Sequence, residues 1–96
     1  MAESEHRVVE RVQTGVRLEK RILQVSKALA DSLDLTLGDL LEGVLLHAFE
    51  GKAPFGPATL ARAGKFAEAF GLDLTAADAH RLRERAAPRT RTAVRT

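Results

Sequence analysis

The sequence predicts a mainly α-helical fold with one β-strand and two helices per subunit, then a two-helix C-terminal extension and a basic, disordered tail. One segment alternates apolar and polar residues with a period of two, several later segments repeat apolar residues every three or four positions, and glycines and prolines separate them. The chain has 96 residues and no cysteine. A domain of this size buries only about 60 to 65% of its unfolded surface, so we expect it to need a partner chain.

Residues 7–18 are the strand candidate, because apolar and polar residues alternate along them. Even-numbered positions are mostly apolar, whereas the odd-numbered positions, which would lie on the opposite face of a strand, include Arg11, Gln13, Gly15 and Arg17. A lone strand with two unpaired edges is not stable, and the chain contains no second strand-like run. We therefore expect this segment to pair with the same segment of a second copy, forming a symmetric ribbon.

Two amphipathic helices are predicted next, over residues 20–33 and 37–50. The first carries its apolar residues at helical spacing, at Ile22, Val25, Leu29 and Leu33. The second has a much wider apolar stripe, made of Leu37, Leu40, Leu41, Val44, Leu45, Ala48 and Phe49. A helix this apolar must be largely buried, and Gly51 ends it.

Two further helices are predicted after the proline-containing connector. The first covers residues 57–70, with Pro57 at its first position, and its apolar face either packs back on the dimer or receives another protein. The motif Leu33-Asp-Leu-Thr36 with Asp39 recurs as Leu72-Asp-Leu-Thr75 with Asp78. Each copy is typical of a capping box that opens a helix, so a fourth helix is expected from residue 76 to about residue 86.

The charge is small overall but unevenly distributed. The formal net charge of the chain is +2. Residues 1–35 are neutral, residues 36–80 carry −3, and residues 81–96 carry +5. A basic end indicates either an anionic partner or only a solvated tail.

The order of one strand, two helices and a turn closed by Thr36 resembles the Arc/MetJ/CopG ribbon-helix-helix family. The resemblance covers residues 7–52, about half of the chain. It is carried by Val12-Gln-Thr-Gly-Val-Arg-Leu18 in the strand, by the turn Leu35-Thr36, and by helix positions Ile22, Val25, Leu29, Leu33, Leu40, Leu41, Val44 and Ala48. It implies an intertwined homodimer that inserts an antiparallel β-ribbon into the major groove of duplex DNA.

With this resemblance the chain divides into four parts. A flexible N-terminus covers residues 1–6, and the dimerisation and DNA-binding domain covers residues 7–52. The C-terminal helical extension covers residues 57–86, and the disordered basic tail covers residues 87–96.

The resemblance implies that Gln13, Gly15 and Arg17 face the bases. Arginine can bridge guanine O6 and N7, and glutamine can pair with adenine N6 and N7. Gly15 has no side chain to read a base, and a glycine inside a strand often marks close approach of another backbone. An ordinary solvated strand face is the alternative. With so few base-reading side chains we expect modest specificity, or tandem dimers on repeated sites.

Phosphate contacts are expected at two helix N-termini and in the tail. Thr36, Leu37 and Gly38 begin the second helix, whose free N–H groups can hold a phosphate, unless Thr36 is only a structural cap. Lys20 and Arg21 begin the first helix, where the helix dipole disfavours cations, so a phosphate is expected to compensate them unless solvent screening makes the penalty negligible. The tail arginines Arg89, Arg91 and Arg95 are candidates for contacts with the DNA backbone.

The sequence contains no recognisable catalytic or metal-binding motif. The three histidines are scattered singly, there is no phosphate-binding loop, and the serines have no partner motif. We therefore expect no enzyme, no cofactor and no metal. Because no apolar stretch is long enough to span a bilayer, we expect a cytoplasmic protein without a membrane partner, associated with the bacterial nucleoid.

These observations predict a sequence-specific, homodimeric transcriptional regulator, most simply a repressor. One alternative is an antitoxin-type autorepressor whose C-terminal helices bind a toxin as protein partner. Another is a dimeric adaptor or scaffold without DNA binding, which Gly15, Leu37 and the low net charge favour.

Overall fold

The structure, a computed structural model, describes residues 6–85 and is built mainly from helices. Three helices of 13 residues each, α1 (Lys20–Ser32), α2 (Leu37–Phe49) and α3 (Pro57–Ala69), precede one 3-10 turn, Ala76–Asp78. The predicted helical class and the first three predicted helices are confirmed, each ending within one residue of its expected position. Within residues 6–85 no helix is both long and apolar enough to cross a bilayer.

The predicted strand is wrong, and the ribbon-helix-helix fold and its intertwined β-ribbon dimer fail with it. Residues 6–19 form neither helix nor sheet, and no strand exists anywhere in residues 6–85. The physical reason is that a strand is defined by hydrogen bonds to a neighbouring strand. No other segment of residues 6–85 pairs with this one. Alternation of side chains sorts residues by polarity, but it does not supply the missing backbone partner.

The predicted two-helix C-terminal extension is wrong in its second half. Only the single 3-10 turn forms where a helix over residues 76–86 was expected, and His80 has a φ of 66°, which is incompatible with a helix. The Asp78 carboxylate does accept the backbone N–H of Thr75 at 2.8 Å, so the cap is present. The residues that follow have little apolar surface to bury, and a cap alone does not sustain a helix.

The helix ends follow one local rule that the sequence only partly reveals. After α1, α2 and α3 the chain adopts a left-handed conformation at Asp34, Gly51 and Gly71, respectively. In each case the next N–H bonds to a carbonyl in the last turn, for example Leu35 to Ala30 at 2.9 Å. This is the Schellman pattern, in which glycine is the usual left-handed residue, and Asp34 takes that place after α1.

The core is centred on α1, which packs against both α2 and α3. Leu29, Ala30 and Leu40 are buried together, and Leu33, Phe55, Ala63 and Phe66 pack partly buried around them. Arg62 on α3 also donates a hydrogen bond from Nη1 to the Ser32 carbonyl at the end of α1, at 2.9 Å. α3 therefore packs against α1 of its own chain, while Leu60 on α3 stays exposed.

Replacing Leu29 with alanine should destabilise the protein by about 2–5 kcal/mol, because it leaves a cavity at the point where the three helices meet. Leu29 is 3% exposed, whereas Leu60 on α3 is 60% exposed. The matched variant Leu60→Ala should therefore change the free energy of unfolding by no more than about 0.5 kcal/mol. Denaturant unfolding of both variants measures the difference, and equal losses would contradict this packing.

Candidate nucleic-acid interface

Residues 6–19 are joined to α2 by a bidentate ion pair from Arg11. Its Nε and Nη2 atoms each donate to a Glu42 carboxylate oxygen at 2.8 Å, and Nη2 lies 3.6 Å from Asp39 Oδ1. The hydrogen bond from Arg11, aided by its charge, lowers the pKa of Glu42 below its ordinary value, although desolvation of the carboxylate opposes the shift. Sequence reasoning missed this contact, because no periodic pattern connects positions so far apart along the chain.

An open cleft of about 1140 Å³ lies between residues 10–18 and the first two helices, and Arg11 and Glu42 are part of its lining. Much of its wall is apolar, formed by Val12, Val16, Leu18, Leu23, Leu41, Val44 and Leu45. The expectation that α2 is largely buried is wrong for the single chain: Leu40 is its one buried residue, and Leu45, Leu46 and Phe49 are all at least half exposed. The chain by itself therefore leaves its most apolar helix largely uncovered.

The three predicted base-contacting residues are all exposed, but they differ in their surroundings. Gln13 and Gly15 line the cleft, whereas Arg17 does not and its guanidinium instead pairs with Glu84. A Cβ atom added to Gly15 would meet no atom within 4 Å. The described part of this chain therefore provides no close backbone contact that would explain a glycine at this position.

The predicted phosphate-binding residues at the start of α2 line the same cleft as Gln13 and Gly15. Thr36 caps the helix, because its hydroxyl accepts the backbone N–H of Asp39 at 3.0 Å. The N–H groups of Leu37 and Gly38 belong to the first turn and have no acceptor within the helix. Asp39 and Glu42 bring negative charge to this end of α2, and Arg11 offsets it.

Carboxylates of the same chain compensate the positive charge of Arg21 at the start of α1. Glu19 caps the helix, and its carboxylate accepts the N–H groups of Arg21 and Ile22 at 2.9 and 3.0 Å. Arg21 itself binds Glu19 at 3.0 Å, Asp73 at 2.9 Å and the Gly71 carbonyl at 3.1 Å. No phosphate is needed to balance Arg21, so the reason for predicting a contact there is removed. Lys20 is exposed and has no ion pair among the described residues, and its phosphate contact stays a prediction.

Glu19 and Glu84 are the functional candidates that sequence reasoning missed near the predicted site. A carboxylate directly before a helix is a usable cap signal for Glu19, although glutamate is less common there than aspartate. No local signal points to Glu84. The tail arginines Arg89, Arg91 and Arg95 lie outside the described residues. Within residues 6–85 no three His, Cys, Asp or Glu side chains cluster as a metal site would require.

The Arg11–Glu42 pair predicts a specific acid response. Because the folded-state pKa of Glu42 is lowered, its contribution to stability is present above the unfolded value and disappears as the pH falls through the folded value. Arg11→Ala should raise the pKa of Glu42 toward its ordinary value, as followed by carboxyl-carbon NMR. Arg62→Ala, which removes a guanidinium elsewhere, should leave the Glu42 titration unchanged. An unmoved Glu42 titration in Arg11→Ala would show that the pair does not form.

Comparison of the chain with family models, curated proteins and solved structures found no match. We therefore base the functional proposal on the contacts, exposures and charges of residues 6–85.

Proposed function

We propose that this chain is a homodimeric, duplex DNA-binding transcriptional regulator, acting as a repressor. Gln13 and Arg17 contact base edges, and the N-terminal turn of α2 contacts a phosphate. The DNA-contacting element is the irregular segment of residues 6–19, beside the start of α2, and not a β-ribbon.

The observation that carries the proposal is that two separately predicted contact groups line one cleft. Gln13 and Gly15 come from the N-terminal segment, and Thr36, Leu37 and Gly38 come from the start of α2. The Arg11–Glu42 ion pair connects these two parts of the chain. A base-reading amide beside unpaired helix N–H groups is a suitable combination for DNA, because phosphate contacts set the register in which base contacts are read.

The dimer is supported by the shortage of buried residues in one chain. Among residues 6–85 the buried side chains are those of Val25, Leu29, Ala30 and Leu40. Meanwhile Leu46 and Phe49 in the second half of α2, which do not line the cleft, are 63% and 77% exposed. Exposed apolar surface of this extent marks an interface with another protein chain. A second copy is the simplest partner, because symmetric homodimers are the commonest soluble oligomers.

A dimeric adaptor without DNA binding is the second candidate, and a specific observation favours it. Three of the four arginines in residues 6–21 are engaged by a carboxylate of the same chain: Arg11 by Glu42, Arg17 by Glu84 and Arg21 by Asp73. Such pairing reduces the positive potential that attracts DNA. The antitoxin alternative stays a prediction, with Leu60 and Phe70 as the exposed large apolar residues at α3.

Arg17→Ala should weaken binding to a duplex selected from a random pool by about 1–3 kcal/mol, because a bidentate contact to guanine is lost. Lys65→Ala is the matched control, since Lys65 is an exposed cation on α3 without an ion pair among the described residues. Fluorescence anisotropy at two salt concentrations measures both. Equal, strongly salt-dependent losses in the two variants would indicate attraction by net charge alone and would contradict base contact by Arg17.

Leu46→Asp should dissociate the homodimer, because it places a charge on the exposed apolar surface of the second half of α2, outside the cleft. Leu60→Asp adds the same charge at a similarly exposed leucine on α3. Sedimentation velocity should therefore show a mass near the 10.4 kDa subunit for Leu46→Asp and twice that value for Leu60→Asp. A wild-type chain that sediments as a monomer at micromolar concentration would rule out the dimer.

A further inference from the structure

The residues after α3 return to the start of α1 and to the segment that precedes it. Arg21 Nη1 donates to the Gly71 carbonyl at 3.1 Å and to Asp73 Oδ1 at 2.9 Å. Farther along, the Glu84 carboxylate forms an ion pair with Nη2 of Arg17. Two acidic side chains of the C-terminal segment, Asp73 and Glu84, thus bind two arginines that are close in sequence.

The second of these contacts involves a residue that the proposed function requires to be free. A guanidinium recognises a guanine edge with the same N–H groups that bind a carboxylate. Arg17 Nη2 donates to Glu84, so this donor cannot point at a base while the pair is intact. Glu84 lies 67 positions away in the sequence, so the pair results from the fold and not from local chain geometry.

Both partners are accessible, which makes the contact easy to displace. The side chains of Arg17 and Glu84 are 81% and 67% exposed. An ion pair in such contact with water is weak and is screened by salt. A ligand can therefore displace Glu84 from Arg17, and the pair contributes little to the stability of the fold.

We propose that Glu84 is an autoinhibitory residue, a carboxylate that occupies Arg17 in the free protein and must leave before Arg17 contacts DNA. This inference rests on the proposed function. In the free protein Glu84 supplies the acceptor that a base or phosphate supplies in the complex. The exchange lowers affinity for every duplex that engages Arg17, because the Arg17–Glu84 pair must break before the guanidinium can bind a base or a phosphate.

The test compares DNA affinity of the full chain and its Glu84→Gln variant, using a duplex selected from a random pool. Removing the carboxylate should tighten binding by about two- to fivefold, the range expected for an exposed ion pair. Glu68→Gln is the matched control, because it removes the same charge from an exposed α3 residue without an ion pair among the described residues. In an Arg17→Ala background, Glu84→Gln should have no more effect than Glu68→Gln.

These variants separate autoinhibition by Glu84 from DNA binding itself. Equal gains for Glu84→Gln and Glu68→Gln would reduce the effect to net charge and overturn autoinhibition, while leaving Arg17-dependent DNA binding intact. Failure of the wild-type chain and all variants to bind any duplex would overturn the proposed function and the inference with it. A second measurement needs no DNA: Glu84→Gln should shift the Arg17 Nη–H resonances of the free protein, because Nη2 donates to Glu84, and unchanged Nη–H resonances would show that the pair is absent in solution.

Discussion

The structure depends on α1 being the one helix that contacts both of the others. Leu29 and Ala30 on α1 meet Leu40 of α2, and Ala63 and Phe66 of α3 pack around them. Since so few side chains are buried here, little of the chain's apolar surface is removed from water within one subunit. The same constraint leaves the second half of α2 exposed, which is why a second copy enters the proposal.

Ion pairs position the remaining segments. Glu42 binds the N-terminal segment through Arg11, and Asp73 and Glu84 bind the C-terminal segment to Arg21 and Arg17. Exposed pairs of this kind add little stability, so these segments are attached less firmly than the helices. Under the proposed function this arrangement has a direct consequence, because phosphates and bases would compete with these carboxylates for the same guanidinium groups.

The sequence predicts the helical part of the fold well because each signal there is local. Thr36 caps α2, Pro57 begins α3, and Gly51 and Gly71 terminate helices through a left-handed conformation that glycine adopts readily. The strand prediction fails because alternation describes side chains, whereas a strand needs a second backbone. The fourth helix fails because a cap at Thr75 opens a helix without giving it apolar surface to bury.

The candidate site is less predictable, since its contacts join residues distant in sequence. Gln13 and Arg17 are exposed, but Val12 and Val16 of the opposite parity are exposed as well, so alternation does not distinguish two faces here. Nothing near these residues in the sequence indicates Glu42 or Glu84. Arg21 illustrates the difference: helix-dipole reasoning required a compensating anion, and Glu19 and Asp73 of the same chain provide it. Local sequence rules predict that a charged group needs a partner, but only the fold shows which residue is that partner.

Native mass spectrometry of the full chain with a duplex enriched from a random pool tests the account most directly, because it reports subunit stoichiometry and DNA binding together. The account predicts complexes that contain two 10.4 kDa chains, or multiples of two, per duplex. A single chain in the free state at micromolar concentration, with no duplex retained at low salt, would contradict it.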